Sequence, residues 1–248
     1  MCGDACSLRE LLVNSLPVSA PESYVQWINE HLGFNPRGQK NSDALADFVI
    51  SDLRSRCERL RKYFDDCRLV PHKNTNVRTK VVERNVDLAI QDVAFLPIVL
   101  FPIAVENKTI MTAHSKARKN RYGDIIAYSN HIHNHWRNSI AAAIVVINTS
   151  LGYENPDAFA KGLVRPQFKM DKIVRDTTTL FSGIPLREAS DDPGDQPEAV
   201  AVIVITYDGV TPAVLVTDDR APQPNQSTYY DKFVTRICDL YDRRHSAL

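Results

Sequence analysis

In VENKTIM, residues 105–111, a carboxylate and an ammonium stand two positions apart, at the end of the apolar run FLPIVLFPIA. Side chains two apart on a strand share a face, so Glu106 and Lys108 project together while Asn107 faces the other way. An unpaired buried charge costs several kcal/mol, so a buried strand carrying this pair holds either a mutual salt bridge or a site. A second segment, VDLAI at 86–90, decides between them. If it pairs antiparallel with the Glu-x-Lys strand about a turn near Leu96–Pro97, partner positions sum to 193 and Asp87 lies opposite Glu106. Two carboxylates at cross-strand spacing repel unless a cation sits between them.

Two hard oxygen ligands plus water suit Mg²⁺, with substrate phosphate completing its octahedron. A lysine alongside can position or deprotonate an attacking water, or stabilise charge developing on phosphorus. Asp87, Glu106 and Lys108 are thus a minimal set for metal-assisted phosphodiester hydrolysis, Asp87 and Glu106 being the metal ligands. Asp92 competes with Asp87, but lies five residues nearer the turn and so far from Glu106. Glu83 is a further candidate ligand. The plainer reading makes Glu106–Lys108 a surface pair, yet such pairs contribute little stability and leave the third charge unexplained.

The elements that must hold these groups are legible in outline. The first third reads helical: Ser7–Leu16, a helix opening at Ala20-Pro21-Glu22, and a long helix from Asn41 or Ser42 with Leu45, Phe48, Val49, Leu53, Cys57 and Leu60 at helical spacing. From about residue 75 the chain alternates through TNVRTKVVE, then VDLAI, then the apolar run ending in VENK, a three-strand meander. Thr112 is placed to cap a helix through AHSKARKNRYGDIIAYSNHIHNHW, and AAAIVVINTS reads as a buried strand. Residues 187–199 read as a solvated acidic loop. AVAVIVITYDGVTPAVLVTD reads as a hairpin about Asp208-Gly209, and Tyr229–Arg244 as a closing helix. The fold class expected is α/β, with a helical N-terminal region over about 1–72, a catalytic core over about 73–150, and the hairpin and helix over about 198–245 of a single domain.

The core segment resembles the PD-(D/E)xK nuclease superfamily, home of most Type II restriction endonucleases. Asp87 matches the first acidic position, with Val86 where the motif has proline, and Glu106-Asn107-Lys108 match the (D/E)xK tripeptide. The stretch MTAHSKARKNRYGDIIAYSNHIHNH is similar to one that follows Glu-x-Lys in uncharacterised restriction-like proteins. The resemblance covers about residues 76–150. It implies a restriction-endonuclease-like core of a mixed sheet flanked by helices. The activity implied is a Mg²⁺-dependent endonuclease on double-stranded DNA, and the partner a second copy in a two-fold homodimer. A catalytically inactive binding protein on the same scaffold, or a nuclease acting on RNA or modified DNA, are the alternatives.

A basic set surrounds this core. Arg78, Lys80 and Arg84 precede Asp87, and Lys116, Arg118, Lys119 and Arg121 follow the Glu-x-Lys strand. A phosphate backbone needs such clustering, as would a solvated face. His114 and Lys116, in the first turn after the site strand, are the candidates for touching DNA or the scissile phosphate. The histidines of HIHNHW read as core or surface residues rather than zinc ligands, since only His131 and His135 share a helix face.

Composition sets the outer bounds. The 248 residues are 44% hydrophobic and 24% charged with zero formal net charge, so no global basic field marks a polyanionic partner. Val93–Val105 is too short to span a bilayer and holds Pro97 and Pro102. The acidic start MCGDACSLRE lacks the pattern of a secretion signal, so the expectation is a cytoplasmic protein. Five irregularly spaced cysteines (Cys2, Cys6, Cys57, Cys67 and Cys238) suggest free or buried thiols rather than a zinc site.

Overall fold

A computed structural model describes residues 19–33, 38–78, 82–154 and 167–245. The helix expected over Ser7–Leu16, Cys2 and Cys6, and Lys80 lie outside the described residues.

Helix α1 (Ala20–Glu30) starts where Glu22 accepts the Ser19 backbone N–H at 2.9 Å, with Pro21 inside the first turn. The next helical stretch divides in two. The backbone becomes extended at Cys57 (φ −105°, ψ 104°), which separates α2 (Gln39–Arg56) from α3 (Glu58–Asp65). Cys57 is bonded to Cys238 of the closing helix, with the Cα atoms 5.4 Å apart, so the expectation of free thiols fails for this pair.

Three strands then form the meander: β1 (Leu69–Arg78), β2 (Glu83–Asp92) and β3 (Ile103–Ile110). Helix α4 (His114–His135) crosses to β4 (Ile140–Asn148). The short α5 (Leu151–Glu154), α6 (Gln167–Ser182), β5 (Ala199–Thr206), the two-residue β6 (Val214–Leu215) and α7 (Tyr230–His245) complete the order. The six strands lie side by side in chain order. The first three run antiparallel, β3, β4 and β5 are parallel, and β6 returns antiparallel. Helices α1, α2, α3 and α7 cover one face of this mixed α/β sheet; α4 and α6 cover the other. Every residue of β4 is buried, with Ala142, Ile144 and Val146 facing the first layer and Ala143, Val145 and Ile147 the second. That two-sided burial explains why IAAAIVVIN shows no alternation.

Several expectations shift. The apolar run does not form strand over 95–102. It makes a 3₁₀ turn (Val93–Phe95) and a connection in which Leu96 and Ile98 are 61% and 69% exposed. Pro97 and Pro102 are the reason, since each removes a ladder donor. The first strand begins at Leu69, six residues earlier than its alternation suggests. Ala113, not Thr112, holds the N-cap position of α4, in the left-handed region at φ 51°. The expected hairpin survives as β5 paired with a two-residue return, β5 being a buried strand rather than a free face. No helix among the described residues is long and apolar enough to cross a membrane.

Candidate active site

The antiparallel ladder between β2 and β3 pairs Leu88 with Val105, Ala89 with Ala104 and Ile90 with Ile103, and then stops. Each pair sums to 193, so the next positions in this register are Asp87 and Glu106. Here β2 leaves β3. In place of a further backbone rung, the Asn107 N–H donates to Asp87 Oδ2 at 2.7 Å, and Ser42 Oγ from α2 donates to Asp87 Oδ1 at 2.6 Å.

The hairpin is also turned at this point. Leu88 and Ile90 face the α1–α3 layer, whereas Val86, two residues back, packs with Ala104, Tyr128 and Ile132 beneath α4. Asn74, the β1 residue across from Asp87, has φ 45°. The change of face brings Arg84 beneath α4 as well, where strict alternation from Leu88 would not put it.

Glu106 and Lys108 share the face of β3 that α4 covers. Lys108 Nζ donates to Glu106 Oε1 at 2.5 Å, and Arg84 Nη2 donates to the same oxygen at 3.1 Å. The Arg84 guanidinium lies 5.3 Å from the Tyr128 ring centroid, with Nη1 3.4 Å from His131 Nδ1. Glu106 is 3% exposed, and its Oε2 is buried without a hydrogen-bond partner. Burial pushes the Glu106 carboxyl above its ordinary value. Lys108 and Arg84 pull against that rise, and the Asp87 charge adds to it. The His131 imidazole is held low by burial and by Arg84.

Beside these groups opens a cleft of ≈ 480 Å³. Gln39, Asn41 and Ser42 from the first turn of α2 line one wall, and Asn74, Asn85 and Asp87 of the kinked hairpin another. Asn107, Lys108 and Thr109 with Arg121 of α4 close the third. The candidate oxygen ligands for a small hard cation are Asp87 on the cleft wall, whose two oxygens each accept one hydrogen bond and keep lone pairs, and Glu106, which does not line the cleft and whose unpartnered Oε2 is buried. No group of three or more His, Cys, Asp and Glu that could hold a metal converges among the described residues. A cation held by these two carboxylates alone would have to complete its shell with water and substrate oxygens.

The other sequence candidates divide clearly. Asp92 is 2% exposed and takes a bidentate ion pair from Arg68, with Nη2–Oδ2 at 2.7 Å, while capping Ala94; it is structural. Glu83 is exposed at the hairpin tip opposite Arg78, about 13 Å of strand from Asp87, and is not brought to the site. His114 is corrected. Its side chain is fully buried and its Nε2 lies 2.6 Å from the Asn148 carbonyl oxygen, tying α4 to the end of β4 rather than facing a ligand. Lys116 and Lys119 are exposed on α4, as is Arg78 on β1. Arg121 reaches the cleft, held by Asp124 at 2.9 Å.

Sequence reasoning missed a second buried carboxylate. Glu198, fully buried at the head of β5, accepts from Arg187 and Arg244 on Oε1 at 3.1 and 2.7 Å. Its Oε2 takes His133 at 2.9 Å and the Ala141 N–H at 2.8 Å. Both ends of the supposed solvated loop are thereby anchored inside. His133 Nδ1 sits 2.7 Å from the Gly194 carbonyl oxygen, so both ring nitrogens face acceptors. Burial raises the Glu198 carboxyl, but His133 and then Arg244 outweigh it and hold it below its ordinary value. Contact partners 11 to 65 residues apart leave no local signal for such a cluster.

No known protein family, curated protein or solved structure matches the chain.

Proposed function

We propose that the protein is a Mg²⁺-dependent nuclease that hydrolyses phosphodiester bonds in double-stranded DNA, on a core like that of the restriction endonucleases. The observation that carries this reading is Glu106 Oε2: a carboxylate oxygen buried without a partner, on the residue whose register position faces Asp87, with the Lys108 ammonium on its twin oxygen. A site kept only for stability would satisfy both oxygens, as Glu198 does. The element order, three antiparallel strands followed by a helix and a parallel strand, with the acid on the second strand and Glu-x-Lys on the third, agrees with the resemblance.

In this reading Asp87 and Glu106 would hold a divalent ion, which when bound would supply Lewis-acid charge to the scissile phosphate. Asn107 and Ser42 fix the Asp87 carboxylate through their hydrogen bonds. Lys108 lines the cleft at 18% exposure, placed to orient a water or to meet charge developing on phosphate oxygens. Arg121 from the cleft wall and Lys116 and Lys119 from the exposed face of α4 meet the backbone. Cutting both strands of a duplex requires two such sites, hence a two-fold dimer working on DNA in the cytoplasm.

The experiment is incubation of the protein with plasmid and phage DNA in Mg²⁺, with Asp87→Asn, Glu106→Gln and Lys108→Ala alongside. Each substitution is expected to reduce cleavage by roughly 10²–10⁴-fold while leaving DNA binding in place. The Arg84–Glu106–Lys108 ion triad favours one other reading, a silent scaffold that binds nucleic acid; wild-type protein that binds DNA but cuts none of these substrates would establish it.

A further inference from the structure

The geometry points to a nucleobase subsite in the cleft. It takes one unpaired nucleotide of a DNA strand, whose base carries an exocyclic amino group. Cytosine, adenine and guanine have that group; thymine and uracil do not. The inference rests on the nuclease reading and narrows the substrate of the same site.

Carboxamides carry the argument. Gln39, Asn41, Asn74, Asn85 and Asn107 line the cleft, beside two cations, Lys108 and Arg121, and one carboxylate, Asp87. Hydrogen bonds fix which way three of these amides face. Asn74 Nδ2 donates to Asp43 Oδ1, Asn85 Nδ2 to the Asn74 carbonyl oxygen at 3.1 Å, and Asn107 Nδ2 to the Ser42 carbonyl oxygen at 3.4 Å. Carbonyl and carboxylate oxygens only accept, so in each case the nitrogen is the atom turned toward the partner. The amide oxygens are left over. Those of Asn74 and Asn85 take no hydrogen bond from the described residues, and that of Asn107 is buried without a partner. Together with Asp87, whose oxygens also accept, the hairpin wall of the cleft calls for donors. A phosphate has none to give; its oxygens suit Lys108 and Arg121 instead. A ligand that answers both walls carries amino hydrogens at one end and a phosphate at the other, which describes a nucleotide of cytosine, adenine or guanine. The volume agrees, since ≈ 480 Å³ falls among sites that enclose small molecules, roughly 300–1,000 Å³. In a duplex the base lies inside the stack, so a duplex supplies this ligand only at a frayed end or by extruding a base.

The test is binding in EDTA of fluorescent single-stranded oligodeoxycytidylate and oligodeoxyuridylate, whose bases set an amino group against a carbonyl oxygen. The cytosine strand is expected to bind roughly tenfold more tightly than the uracil strand, and more tightly than a duplex that contains it. Two variants are expected to remove most of that preference while leaving affinity for the uracil strand unchanged. They are Asn85→Ala and Asn74→Gly, the second chosen because glycine tolerates the φ of 45° at that position. A structural role for either residue would lower both affinities together. Arg121→Gln is expected to weaken both strands alike. Equal affinity for the two strands, or a duplex bound as tightly as the single strand, would overturn the subsite. Deoxycytidine monophosphate, added as a competitor, separates a free nucleotide from one held in a strand; affinity equal to that of the strand would overturn the strand as substrate. Protein that shows the preference but cuts no DNA in Mg²⁺ fails the nuclease reading alone. Protein that cuts DNA without the preference fails this inference alone.

Discussion

The backbone N–H of Asn107 donates to the carboxylate of Asp87 at 2.7 Å, across the gap where β2 and β3 part. A side chain thus takes the place of a ladder rung, and the middle residue of Glu-x-Lys is bound to the acid that completes the site. Asp87→Ala removes this bond and the one from Ser42, leaving a half-buried donor unpaired. The expected loss is about 1–3 kcal/mol in urea unfolding. Asp87→Asn, which keeps an acceptor oxygen, is expected to lose less. Equal losses for the two would mean that the bond does not hold the strands.

Glu106 and Glu198 make an opposed pair for a pH experiment. The Glu106 carboxyl is raised by burial, so its contribution to stability is full below the ordinary carboxyl value and is lost as pH rises through its folded value. Glu106→Gln should therefore improve relative to wild type as pH increases from about 4 to 8. Unfolding free energies that change in parallel over that range would contradict the assignment.

Glu198 has the opposite sign. Held low by His133 and Arg244, it stabilises above the ordinary carboxyl value and loses that contribution as pH falls through its folded value. Replacing it with alanine strands Arg187 and His133 in the interior, with an expected loss of about 3–5 kcal/mol at neutral pH. The exposed Lys116 and Lys119 of α4 should be unaffected in any fraction that folds.

Lys116 and Lys119 are exposed, so their contribution is read in salt dependence rather than stability. Each alanine substitution is expected to lower the slope of log K against log salt by about 1 for DNA, with little change in melting temperature. An unchanged slope would assign both lysines to a solvated face.

The sequence alone was enough to align Asp87 with Glu106, because alternation on VDLAI and a proline-marked reversal near Leu96–Pro97 leave one sum for the pairing. It puts Arg84 only among the basic residues around the core, not on Glu106. The period-2 rule that orders β2 fails at Asp87, opposite the left-handed Asn74, and no composition announces a strand that changes face. The connection 93–102 reads as strand because apolar residues look alike in a core and in an exposed loop; only Pro97 and Pro102 carry the distinction. His114 reads as ligand-facing because it follows the site strand, whereas its partner, Asn148, lies at the far end of the next one.

Glu106 lies beside Ala143, and β3 is matched to β4 along its whole length but to β2 at only three positions. The strand that decides where the carboxylate points is therefore the one without a single reactive group. A methyl group at 143 leaves room for the acid and its two cations, and a bulkier neighbour would crowd them out. The placement of this carboxylate is set by a bystander: a plain aliphatic strand acts as the mould, and altering its small residues would displace the acid without touching it.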